Sequence, residues 1–170
     1  TWTVQAKVYA AEYNGTKYET LQTAIEAAST SYAQTVKMLR DVELSETINV
    51  YKQSPGALTL DLGGHTLTGK GCRAIWLHKN YMTITNGTVT SEGNSDASSV
   101  IRVGSDESSA NKNSANMTIG ANATILAPSS YGVTVFGSAT GVETLSVYGT
   151  IHATGPKAAI SGNGDAKYNN

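Results

Sequence analysis

Few side chains in this sequence are suited to bond-making chemistry, and those that are do not gather. The chain of 170 residues has 13 Asp and Glu against 12 Lys and Arg. Asp61 is the carboxylate within the most regular stretch, LTLDLGGHTLTG at residues 58–69. General acid/base work on a glycosidic bond needs a second carboxyl group nearby. Strand alternation gives Asp61 the neighbours Leu39, Thr85 and Gly120, none of which can serve. Asp41 and Glu43 lie one repeat away and leave a cation site as an open alternative. Asp96, Asp106 and Glu107 fall in Ser-, Asn- and Gly-rich segments at residues 91–99 and 104–115. Their oxygens suit calcium, but their spacing follows no calcium loop. His65, His78 and His152 share no triad or metal spacing. The single cysteine, Cys72, has no partner for a disulfide or a zinc cluster. The expectation is no catalytic group, no cofactor and no assigned metal, with the cation alternative at Asp41 and Glu43 left open.

One set of residues offers binding chemistry instead. If Ile75 and Leu77 point inward, Trp76 and His78 point outward. In the same register Asn49 and Tyr51 lie one repeat before, Arg102 one repeat after, and Thr134 and Phe136 beyond that. Large aromatics beside Arg suit sugar faces and protein hot spots. Tyr51, Trp76, His78, Arg102 and Phe136 are therefore the candidate binding residues. The alternative is that Trp76 folds over the neighbouring Arg as a cation–π pair, or lies under a loop.

That register comes from the elements. Asn14-Gly15 is a strong hairpin signal, because a type I′ turn needs positive φ at both central residues. Thr20 can cap a helix over residues 21–29, with Leu21, Ala24, Ile25 and Ala28 on one apolar stripe. After this the text repeats. LTL at 58, MTI at 82, MTI at 117 and LSV at 145 align, and each is followed by a second and a third short strand. The third strands begin at Ala74, Val100, Gly132 and Ala158. A degenerate earlier copy runs from Val36 to Val50. Five such three-strand units predict stacking in one dimension. The expected fold is a right-handed single-stranded parallel β-helix, a solenoid of about five rungs over residues 35–170. Residues 1–34 are expected to form a hairpin-and-helix cap over its naked edge. The whole is read as one domain and a fragment of a longer protein.

The residues at 13–28, VKMLRDV at 36–42 and the stretch at 58–69 resemble β-helix modules of large secreted or cell-wall-anchored proteins. Those proteins belong to Gram-positive, gut-type bacteria, and their modules are similar in fold to pectate lyases. The resemblance implies an extracellular location on a bacterial surface, with signal peptide and anchor outside this sequence. It implies a non-catalytic adhesin that recognises a host protein, such as an immunoglobulin or mucin, or a glycan. A polysaccharide lyase or hydrolase is the alternative, and a structural stalk the second alternative. The net charge of −1 argues against nucleic acid, and no apolar run is long enough for membrane insertion. A monomer within a larger multidomain chain is expected.

Overall fold

The computed structural model describes residues 6–51, 56–93, 98–104, 114–137 and 142–162. The chain opens with β1 (Ala11–Tyr13) and β2 (Thr16–Tyr18), an antiparallel pair. Asn14 and Gly15 between them have φ of 48° and 75°. That is the left-handed pair a two-residue type I′ turn requires. The helix α1 (Leu21–Ser29) follows, with the Thr20 hydroxyl accepting from the Thr23 N–H at its start. Leu21, Ala24, Ile25 and Ala28 form its buried stripe. The cap elements are therefore those the sequence predicts.

The next fourteen strands supply the body: β3 (Gln34–Met38), β4 (Val42–Leu44), β5 (Ile48–Tyr51), β6 (Leu58–Asp61), β7 (Thr66–Lys70), β8 (Ile75–Thr85), β9 (Gly87–Glu92), β10 (Ser99–Val103), β11 (Ala115–Ile119), β12 (Ala123–Ala127), β13 (Tyr131–Val135), β14 (Thr144–Val147), β15 (Thr150–Ala153) and β16 (Ile160–Gly162). Parallel pairing links one repeat unit to the next. Leu58 pairs with Met82, Met82 with Met117, and Met117 with Leu145, as the alignment expects. Leu67, Val89 and Ile125 align in the second set of strands, and Ile75, Ile101 and Val133 in the third. All these residues are buried and belong to one core that draws on both sheets described next.

The expected fold class needs correction. The strands do not form a plain single-stranded parallel β-helix of separate three-strand rungs. They gather into a mixed 11-stranded sheet and a separate parallel 5-stranded sheet in the order β15-β12-β9-β7-β4. Two features produce this arrangement. First, β8 runs unbroken for 11 residues. Its start pairs with β5 and β10, and its end with β6 and β11, so two sets of strands fuse into one sheet. The backbone turns within β8 at Asn80, whose φ is 63°, but this does not interrupt the ladder, because the Asn80 N–H donates to the Ser114 carbonyl at 2.8 Å. Second, β1 pairs antiparallel with both β2 and β3, which makes that sheet mixed. This pairing also carries residues before position 34 into the same sheet as the repeats.

Register slips occur at both ends of the repeat. Gln34, not Val36, stands opposite Leu58, so Asp61 has Lys37 rather than Leu39 beside it. At the far end Val133 pairs with Ile160, one residue later than the alignment places it.

Candidate functional site

The five candidate residues form one continuous stack across the outer face of the larger sheet. Asn49, Trp76, Arg102 and Thr134 are direct cross-strand partners on β5, β8, β10 and β13. Tyr51 lies beyond a bulge: the register shifts between Val50 and Tyr51, which puts Tyr51 opposite Lys79. The displaced ring stacks on His78, with centroids 3.9 Å apart and planes at 16°. His78 stacks in turn on Trp76 at 4.2 Å and 22°. The Arg102 guanidinium covers the Trp76 ring at 4.4 Å and the Phe136 ring at the same 4.4 Å. The order is Tyr51, His78, Trp76, Arg102, Phe136.

This geometry corrects the picture of exposed side chains. His78 is only 9% exposed, and Trp76 is half-buried. Trp76 is held by its neighbours and by its indole N–H, which donates to the Gly104 carbonyl at 2.7 Å. The cation–π pairing left open by the sequence is therefore the observed one. Gly104 can turn its carbonyl there because its φ is +94°, which side chains rarely adopt, and a Cβ would lie 2.2 Å from the Phe136 oxygen. Tyr51 is the open end of the stack, 49% exposed.

Electrostatics in the stack follow from burial. The Asn49 side-chain amide donates to the Thr47 carbonyl at 3.1 Å, which leaves its Oδ1 facing His78 Nε2 at 3.0 Å. That oxygen can only accept, so Nε2 carries the proton. Burial, then the Arg102 and Arg73 charges, push the imidazole down from 6.5 to about 4, so it is neutral at physiological pH. Arg73 is the residue the sequence reading missed. It sits on the corner before β8, where strand alternation assigns no direction. It reaches over Trp76 at 5.6 Å and donates to Ser98 and Ser99 hydroxyls at 3.1 and 3.3 Å. Burial and then the Arg102 charge lower it from 12.5 to about 10. Burial also lowers Arg102.

The other candidates stand apart and have local duties. Asp61 accepts from the Gly63 N–H at 2.9 Å and the Asn86 amide at 3.0 Å, bracing a corner. Asp41 accepts from the Thr66 N–H at 2.9 Å and lies 3.4 Å from His65 Nδ1. Glu43 and Glu92 flank Lys70 on adjacent strands. His152 is exposed on β15. Cys72 is half-buried, its thiol directed at the Leu44 carbonyl at 3.5 Å, and burial pushes it up, away from a reactive thiolate. Asp96, Asp106 and Glu107 lie outside the described residues.

Comparison with family models, with characterised proteins and with solved structures found no match.

Proposed function

We propose that this chain is a non-catalytic recognition module of a bacterial surface protein, and that it engages a secreted host protein of the immunoglobulin or mucin kind. The observation that carries the reading is the stack itself. Five large side chains from successive units are held in one line by strand pairing and ring contact, with Tyr51 open at one end. Rigid aromatic and Arg groups lose little side-chain freedom on binding, which is why they dominate protein hot spots.

The geometry favours a protein over a sugar as the principal ligand. A pyranose needs a free aromatic face, yet the Trp76 ring already has His78 stacked on it and the Arg102 and Arg73 guanidinium groups over it. Tyr51 retains the more open ring, so a glycan carried on the same host protein has one platform to use. The sequence resemblance supports the extracellular setting.

Biolayer interferometry against secretory immunoglobulin, mucin and immobilised glycans tests the reading. Tyr51→Ala and Arg102→Gln should each weaken binding by about 1–3 kcal/mol, roughly five- to 150-fold. Parental affinity in both variants would overturn it. So would release of reducing sugars or unsaturated uronides from polysaccharides, which would install the lyase or hydrolase alternative.

A further inference from the structure

The two ends of the strand array are finished differently. At the end formed by β3, β4 and β5, the inward residues Val36, Val42, Ile48 and Val50 are all buried. β1 pairs along β3, and α1 packs on β3 and β5. The Gln22 side chain of α1 closes β5, accepting from the Asn49 N–H at 3.1 Å and donating to the Asn49 carbonyl at 3.2 Å. β4 keeps an open edge, but the exposed Glu43 stands on it. A charge on an edge strand discourages further pairing.

The opposite end lacks these devices. Among the described residues β14 pairs only with β11, β15 only with β12 and β16 only with β13. Three backbone edges are therefore open together. The columns of core residues also end uncovered. Ile119 is fully buried, but its partner Val147 is 40% exposed. Val133 is fully buried, but its partner Ile160 is 36% exposed. Ile151 and Ala153 are only half-buried, whereas their partners Ile125 and Ala127 are buried. Tyr148, directly after β14, is exposed as well. No Lys, Arg, Asp, Glu or Pro occurs in β14, β15 or β16, so nothing on these strands repels an incoming one.

We propose that this end is a self-association surface, on which a second copy of the chain docks to form a two-fold dimer. Unit stacked on unit is the interface that already builds the molecule, repeated along three lines of strands. A partner that continues it must bring open strand edges together with apolar residues to face Val147, Ile151 and Ile160. The same end of another copy brings both. The far end does not, because β1 and α1 already occupy it. Association is therefore tail to tail, and the two-fold axis closes it at two copies. That axis makes the new strand pairs antiparallel, the slightly more stable arrangement. β5, β8, β10, β13 and β16 are successive neighbours, so the Tyr51 end of each stack points away from the junction. The dimer departs from the monomer expected of the sequence, and it does not depend on what the stacks bind.

Sedimentation velocity of the 170-residue chain across a wide range of concentration tests this. A reversible monomer–dimer equilibrium should appear, with no larger species. Val147→Lys and Ile160→Lys should each weaken dimerisation roughly tenfold or more, because each lysine is brought against apolar surface. Both positions are partly exposed, so the diluted monomers should keep the parental circular dichroism and Tm. Glu46→Lys, at the far end, should leave the equilibrium unchanged. In the unmutated protein, amide exchange in β14, β15 and β16 should slow as concentration rises, while exchange in β4 stays constant. A monomer at every concentration would overturn the proposal. So would dimers that Val147→Lys and Ile160→Lys leave intact, or oligomers that lengthen with concentration, since those need a second open end.

Discussion

Acidification should weaken this fold through His78 in a defined window. The unfolded chain protonates a histidine near pH 6.5, whereas the folded chain holds His78 neutral down to about pH 4. Between those values the unfolded state binds the extra proton, so stability rises with pH across the window and falls on acidification. Below pH 4 both states are protonated and this contribution levels off. A depression from 6.5 to 4 corresponds at most to about 3 kcal/mol, at 1.36 kcal/mol per pH unit. The outer edge of the stack reaches solvent and the two guanidinium charges are partly screened there, which brings the expected loss to about 1–2 kcal/mol. The assay is urea unfolding at pH 7, 5.5 and 4.2 for the parent and for His78→Phe. The phenyl ring keeps the stacking between Tyr51 and Trp76 and removes the titration. Carboxylates titrate in both proteins and cancel in the difference. The parent should lose its extra increment between pH 6.5 and 4, and the His78 ring resonances should titrate near 4. Parallel stability profiles, or a His78 midpoint near 6.5, would refute the account of burial and Arg proximity.

Two further outcomes follow from packing. Trp76→Ala removes the ring that joins His78 to Arg102 and deletes the hydrogen bond to Gly104, so it should cost about 2–4 kcal/mol in chemical denaturation. A change below about 0.5 kcal/mol would mean that the indole is a passive surface group. Ile84 is fully buried between Leu60 and Ile119, and Ile84→Asp would place an unpaired charge in that core. It should abolish cooperative unfolding by circular dichroism, and a variant with a normal Tm would contradict the placement of the strand.

The sequence was most legible where local chemistry leaves a single solution. Asn14-Gly15 and Thr20 mark the hairpin and the helix start, because few residues satisfy left-handed φ or an N-cap. Hydrophobic alternation marked the inner faces of the central units correctly. Alternation fixes which face a residue uses, but a slip of two residues preserves that face. Gln34 and Val36 are therefore both admissible opposite Leu58 on pattern alone, and the terminal unit settles on Gln34. The bulge that displaces Tyr51 inserts one residue, His78, into the facing strand β8 without any Gly or Pro to announce it. The fusion of two strand sets through β8 was hidden for a related reason. A corner at Lys79-Asn80 and a continuous ladder have the same sequence signature when the backbone groups there still find partners. The stack was legible as a column but not as a closed one, since facing rings and guanidinium groups are set by rotamer and bulge.

The outer faces of the other strand sets show that the fold does not need such a stack. Thr35, Thr59, Thr83, Thr118 and Ser146 pair in succession along one line of the large sheet. Thr66, Thr88, Thr124 and Thr150 do so along the small one. Short hydroxyl side chains suit a half-exposed strand position and ask little of their surroundings. At the equivalent positions of the third line stand Asn49, Trp76, Arg102 and Thr134. Here two guanidinium groups are drawn toward each other and partly out of water, against the direction that stability alone favours. Ring faces and the Ser98 and Ser99 hydroxyls offset part of that cost. A line of threonines would have avoided the cost altogether. That a Thr-rich sheet carries one line of rings and cations is the argument for treating this line as a recognition surface rather than as ordinary outer packing.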